Sequence, residues 1–134
     1  MDAQLKAKWV EALRSGEYKQ AEGKLHDTKN DAFCCLGVLC KVVGAEFGPG
    51  QEEKENEDEG GMYMDTYDYV PVLNGRVLSN NDDEELKESF CKEIGIPKQF
   101  DLIELNDGRG KPGDDNYKAP APFSEIADYI KKNL

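Results

Sequence analysis

Ala32-Phe33-Cys34-Cys35-Leu36-Gly37-Val38-Leu39-Cys40-Lys41-Val42-Val43 is apolar on nearly every side when wound as a helix, and it holds three of the four cysteines. A helix without a polar face has to be buried all round. The segment therefore predicts a central helix, opened by Asn30 or Asp31 and stopped by Gly44, about which the rest of the chain packs. Gly37 in mid-helix costs about 1 kcal/mol relative to alanine, so its presence predicts that another element approaches the helix closely there.

Working outward, Asp2 is placed to cap a first helix running to about Ser15, with Leu5, Trp9 and Leu13 on one face and Gly16 as its stop. Residues 17–30 have few apolar anchors, Tyr18 and Leu25, and read as a long connection with an extended piece around Lys24–His26. On the other side, residues 48–61 are glycine, proline and acid, which predicts a mobile acidic loop. Val72-Leu73-Asn74-Gly75-Arg76-Val77-Leu78 sets Asn-Gly between two apolar pairs and predicts a small β-hairpin near 69–79, with Pro71 at a sheet edge or strand start.

Asp82 or Asp83 is expected to open a third helix, with Leu86, Phe90 and Ile94 on one face and Gly95 at its end. Pro97 suits the first turn of a fourth helix through Phe100, Ile103 and Leu105. Residues 106–122 form a Gly/Pro/Asp loop. Ser124 caps a last helix with Ile126, Ile130 and Leu134 inward. No segment repeats another. The expected fold is α+β, mainly α: a single domain over residues 1–134, with about five helices around the cysteine-rich one and a single small hairpin.

The 134 residues carry 28 acids against 17 bases, a formal charge of −11. Such a field repels nucleic-acid phosphates and anionic head groups, so neither direct nucleic-acid binding nor membrane binding is expected. No apolar run reaches the ~20 residues of a membrane span, and Met1-Asp2-Ala3-Gln4 lacks the layout of a secretion signal, which predicts a cytoplasmic protein. Three cysteines within seven positions make a poor framework for stapling distant loops, so all four read as reduced thiols.

Cys34, Cys35 and Cys40, with His26 or Cys91, are the candidate metal ligands, but adjacent helical cysteines diverge by about 100° and do not easily reach one ion. The same thiols suit core packing, because free cysteine behaves as a small buried hydrophobe. A thiol nucleophile needs a base, and His26 is the one histidine. Cations concentrate near the N-terminus. Arg14, Tyr18, Lys19, Lys24 and His26 form a candidate pocket for a phosphate-bearing small molecule, with Tyr18 as an aromatic platform. The acids of 52–59 suit a solvated loop, a mimic of nucleic-acid phosphates or a weak calcium site. The acids and asparagines of 106–116 lack the spacing of a calcium-binding loop. No catalytic residues and no cofactor are expected.

Three stretches carry a resemblance. They are Trp9-Val10-Glu11-Ala12-Leu13-Arg14-Ser15-Gly16-Glu17-Tyr18-Lys19-Gln20, Phe33-Cys34-Cys35-Leu36-Gly37-Val38-Leu39-Cys40, and Leu102-Ile103-Glu104-Leu105-Asn106-Asp107 followed by Phe123-Ser124-Glu125-Ile126-Ala127-Asp128-Tyr129-Ile130. Together they resemble a family of small uncharacterised proteins of tailed bacteriophages and prophages. That resemblance implies a setting, the cytoplasm of an infected bacterium, and no mechanism. In that setting the leading expectation is a non-enzymatic acidic protein that binds and modulates a host protein, such as a defence component. The alternative is a nucleotide sponge using residues 14–29, and a Cys/His metal- or thiol-dependent enzyme ranks third.

Overall fold

The computed structural model describes residues 1–80 and 84–134. Helix α1 spans Ala3–Arg14 and starts where the Asp2 carboxylate accepts the Leu5 N–H at 2.9 Å; Gly16, at φ 79°, lets the chain turn away. Three two-residue strands follow, β1 (Lys19–Gln20), β2 (His26–Asp27) and β3 (Ala32–Phe33). They form one sheet in the order β1-β3-β2, with β1 parallel and β2 antiparallel to β3. Helix α2 is Cys35–Val42. It begins later than expected, because Asp31 turns the chain at φ 47° and Ala32–Phe33 are committed to strand pairing on both sides.

The second sheet has the order β4-β5-β6, from β4 (Glu46–Glu55), β5 (Met62–Leu73) and β6 (Arg76–Val77). Helices α3 (Glu88–Ile94), α4 (Gln99–Asp107) and α5 (Phe123–Asn133) complete the described chain. The domain is therefore a mixed α/β fold with five helices and two three-stranded sheets among the described residues, not a mainly α fold with one small hairpin. The Asn-Gly turn does form: Asn74 and Gly75, at φ 51° and 79°, join Leu73 to its partner Arg76. The error lies upstream of it.

Residues 48–61, expected as a mobile loop, instead supply most of β4 and the turn that follows. Pairing with β5 runs from Glu46↔Val72 to Glu55↔Met62, and the Asn56 N–H donates to the Gly61 carbonyl at 2.9 Å to close the turn. Strand geometry sends successive side chains to opposite faces, which separates neighbouring carboxylates that would crowd together in a collapsed loop. Between Gly48↔Val70 and Gly50↔Tyr67 the register slips, so Asp68 and Tyr69 both face Pro49, a residue with no N–H to give.

Two further starts differ. Helix α3 begins at Glu88, after a bridge between Ser79 and Leu86, whereas Asp82 and Asp83 lie outside the described residues. Helix α5 starts at Phe123 behind Pro122 rather than at a Ser124 cap, and Phe123 is buried. Of the stretch 106–122, Asn106 and Asp107 belong to α4, and Arg109 bridges to Lys118.

Helix α2 occupies the centre. Cys35, Leu36, Val38, Leu39 and Cys40 have no exposed surface and share one core with Trp9, Leu13, Phe90, Leu102, Ile126 and Ile130; Val43 and Ile94 sit at its partly buried margin. The Trp9 indole N–H donates to the Cys35 carbonyl at 2.9 Å, fixing α1 on α2. At Gly37 a Cβ would lie 1.8 Å from the Leu25 carbonyl oxygen, so the connection before α2 crosses the helix in van der Waals contact with its backbone.

Candidate functional site

All four cysteines are free and buried. Burial pushes the Cys34 thiol up to about 12 and the Cys91 thiol up to about 11, and it raises Cys35 and Cys40 further from ionisation. Thiols held protonated are poor nucleophiles and poor metal ligands. Among the described residues no group of three or more His, Cys, Asp or Glu side chains is placed to hold a metal ion, so Cys34, Cys35 and Cys40 do not gather with His26 or Cys91. Their measurable contact is structural: the Cys35 thiol points at the Leu102 carbonyl, 3.7 Å away.

On the basic flank, Tyr18 and His26 both pack on Phe33, whereas Arg14 is committed elsewhere. Arg14 is engaged by Asp128 of α5. Tyr18 sets its edge on Phe33, with ring centres 5.5 Å apart, and Lys19 and Lys24 are exposed. His26 is half-buried and committed on three sides. Its ring stacks on Phe33 at 4.2 Å, its Nδ1 lies 2.5 Å from the Tyr69 hydroxyl, and its Nε2 lies 2.9 Å from the Asp31 carboxylate. A ring carrying its proton on Nε2 satisfies both neighbours, donating to Asp31 while Tyr69 donates to Nδ1. Burial, with Asp31 nearby, raises the Tyr69 hydroxyl pKa and keeps that donor in place. His26 thus ties β2 of the first sheet to β5 of the second.

Sequence reasoning passed over a fully enclosed polar residue. Asn106, at the end of α4, is fully buried. Its amide donates to the Ala21 carbonyl at 2.7 Å, and its oxygen accepts the Cys35 N–H at 3.1 Å and the Gln20 amide at 3.2 Å. Helix α2 has no side-chain cap of its own at Cys34, so Asn106 satisfies an opening N–H from across the core. Asp107 accepts the Gly23 N–H at 3.0 Å, and Gln20 reaches the Ala121 carbonyl at 2.8 Å. The Tyr-Lys-Gln and Leu-Asn-Asp motifs are therefore one scaffold that seats the central helix.

Two surface features are left open. A groove of about 950 Å³ lies along α3 and α4, walled by Leu86, Cys91, Ile96, Pro97 and Phe100; the Gln99 side chain in it is spent on both backbone groups of Leu86. The second feature is the β4–β5 arm. Beyond Gly50 it extends about 17 Å at roughly 3.4 Å per residue before its turn. From Glu46 to Leu73 nine acids face Lys54 alone, a net −8 of the chain's −11.

The two faces of the arm differ. On one, Glu52 binds the Lys87 ammonium and the Tyr67 hydroxyl, and Lys54 binds Asp65 at 2.8 Å beneath the Tyr67 ring. Burial opposes the Glu52 charge, but its hydrogen bonds from Lys87 and Tyr67 outweigh that and hold its carboxyl below the usual range. The opposite face pairs Glu53 with Met64 and Glu55 with Met62, and neither glutamate has an ion pair among the described residues. Met62 and Met64 are 59% and 56% exposed; Tyr63, which pairs with Lys54 on the first face, is 48% exposed.

These features define a mixed α/β domain whose buried polar groups serve the scaffold and whose open chemistry is on a projecting acidic arm. The chain belongs to the family described as Domain of unknown function (DUF8296), which matches residues 1–134. No curated protein and no solved structure matches it. Among the described residues no helix is long and apolar enough to cross a membrane.

Proposed function

We propose that this chain is an acidic binding protein that modulates a host protein, acting without catalysis in the cytoplasm of a phage-infected bacterium, and that the β4–β5 arm is its recognition element. The setting rests on the resemblance to bacteriophage proteins. The binding role rests on one observation: a two-stranded arm that carries net −8 also exposes Met62, Tyr63 and Met64. Exposed apolar side chains rimmed by like charge mark an interaction surface, and methionine adapts to varied partners. The charge selects a basic protein and accelerates the encounter.

The test compares the parent chain with the variant Glu53→Gln, Glu55→Gln, Met62→Ser, Met64→Ser as bait in a bacterial lysate. All four side chains face solvent, so the variant keeps its fold, checked by circular dichroism. The parent is expected to capture a discrete partner at low salt, less at high salt, and the variant none. Equal capture by both proteins removes the arm from the mechanism, and no specific partner for the parent removes the binding role.

A further inference from the structure

We infer that the outer edge of β4 receives an extended, basic segment of the partner as an additional β-strand, with cationic side chains at alternate positions. This rests on the proposal that the arm binds a protein and specifies how. Among the described residues β4 has β5 as its one neighbour in the sheet, and Gln51, Glu53 and Glu55 are exposed, which leaves that stretch of its other edge open. In antiparallel pairs, residues that exchange hydrogen bonds alternate with residues that do not. The Asn56 to Gly61 bond sets the phase. Counting back by twos along the ladder, Lys54↔Tyr63 and Glu52↔Asp65 are bonded pairs, and Gln51, Glu53 and Glu55 turn their N–H and C=O groups outward.

Proteins usually guard such an edge with lysine, proline or a bulge, because it is a template for another strand. Here Pro49 and the bulge guard the base, while Gly50–Glu55 beyond them is regular. The charges decide what can pair. A second copy laid antiparallel on β4 would set glutamate against glutamate, which disfavours self-association. Glu52 and Lys54 are already engaged on their own face, whereas Glu53 and Glu55 are not, and these are the residues whose backbones face outward. The opposing residues of an added antiparallel strand share their face, so those are the positions that call for Lys or Arg. Adding a strand to an exposed edge draws affinity from the main chain and selectivity from alternate side chains.

The probe is a capped peptide of alternating lysine and valine, with two analogues N-methylated on either the lysine or the valine amides. It is titrated into the full-length protein and followed by amide NMR and hydrogen exchange. Expected are slowed exchange at Gln51, Glu53 and Glu55, and binding about ten-fold or more weaker for the lysine-methylated analogue but little changed for the valine-methylated one. Equal binding by all three peptides, equal loss by both analogues, or no binding by the parent peptide overturns strand addition. If arm-dependent capture from lysate persists in those cases, the binding role stands and only its mode falls; if that capture is absent as well, both fall.

Discussion

Replacing Gly37 by alanine tests the architecture through the sign of the effect. On an exposed helix the change stabilises by about 1 kcal/mol. Here the new Cβ would sit 1.8 Å from the Leu25 carbonyl oxygen and 2.7 Å from its carbonyl carbon. Restoring an ordinary contact requires the main chain at Leu25 to retreat by about 1.5 Å, and no rotamer change helps because the obstacle is backbone. Overpacking costs about 1–3 kcal/mol, and displacing Leu25, now 2% exposed, forfeits part of the roughly 1.5–3 kcal/mol of its burial. Subtracting the helix gain leaves a net loss of about 2–4 kcal/mol. Urea unfolding followed by the single tryptophan, Trp9, should show a midpoint lower by about 1–2 M at an m-value near 2 kcal/mol/M. Adding Leu25→Ala to Gly37→Ala should give no rescue. A Gly37→Ala midpoint equal to or above that of the parent would refute the crossing of the 17–30 connection over α2.

Asn106→Leu should destabilise by about 3 kcal/mol or more, because it strands the buried Cys35 N–H and Ala21 carbonyl; Asn106→Asp should be no milder at neutral pH in the same urea experiment, because it keeps the Cys35 acceptor but sets a buried carboxylate against the Ala21 carbonyl and the Asp107 carboxylate. A thiol reagent at neutral pH should label all four cysteines slowly in the folded protein and completely once it is unfolded, as followed by mass spectrometry, and rapid native labelling of Cys34, Cys35 or Cys40 would contradict their burial. The depressed Glu52 carboxyl adds stability that is present above the ordinary glutamate value of 4.5 and is lost as pH falls through its lower folded value. Melting curves from about pH 6 to about pH 3 should therefore show a shallower acid decline for Glu52→Gln than for the parent.

The first three helices were legible because each carries a local mark that survives in the fold: the Asp2 cap, the Gly16 and Gly95 stops, the uniform apolarity around Leu36 and Leu39, and the missing side chain at Gly37; the Ser124 cap expected for α5 is not used. The Asn74-Gly75 turn was legible for the same reason. Strand β4 was not. Glu46–Glu55 has no β-branched residue, and its strand character comes from pairing with the tyrosine-rich β5, a non-local partner. The strands of the first sheet are two residues long, too short for any alternation to show. At the site level, acidity was visible but its division into one engaged face and one open face required the register. Asn106 read as loop because it opens a stretch rich in Gly, Pro, Asp and Asn, whereas its burial depends on Gln20, Ala21 and Cys35, far away in the chain.

The packing of α1 against α5, fastened where Arg14 meets Asp128 114 positions later, sets a timetable for biosynthesis. Trp9 and Leu13 share their cluster with Ile126 and Ile130, so the core cannot close until the last helix has left the ribosome. At roughly 5–20 residues per second that interval is about 6–23 s, during which the apolar faces of α1 and α2 are available to chaperones rather than to each other's final partners. Folding of this domain is in that sense a single late event, and nascent chains truncated before α5 should be found chaperone-bound instead of native.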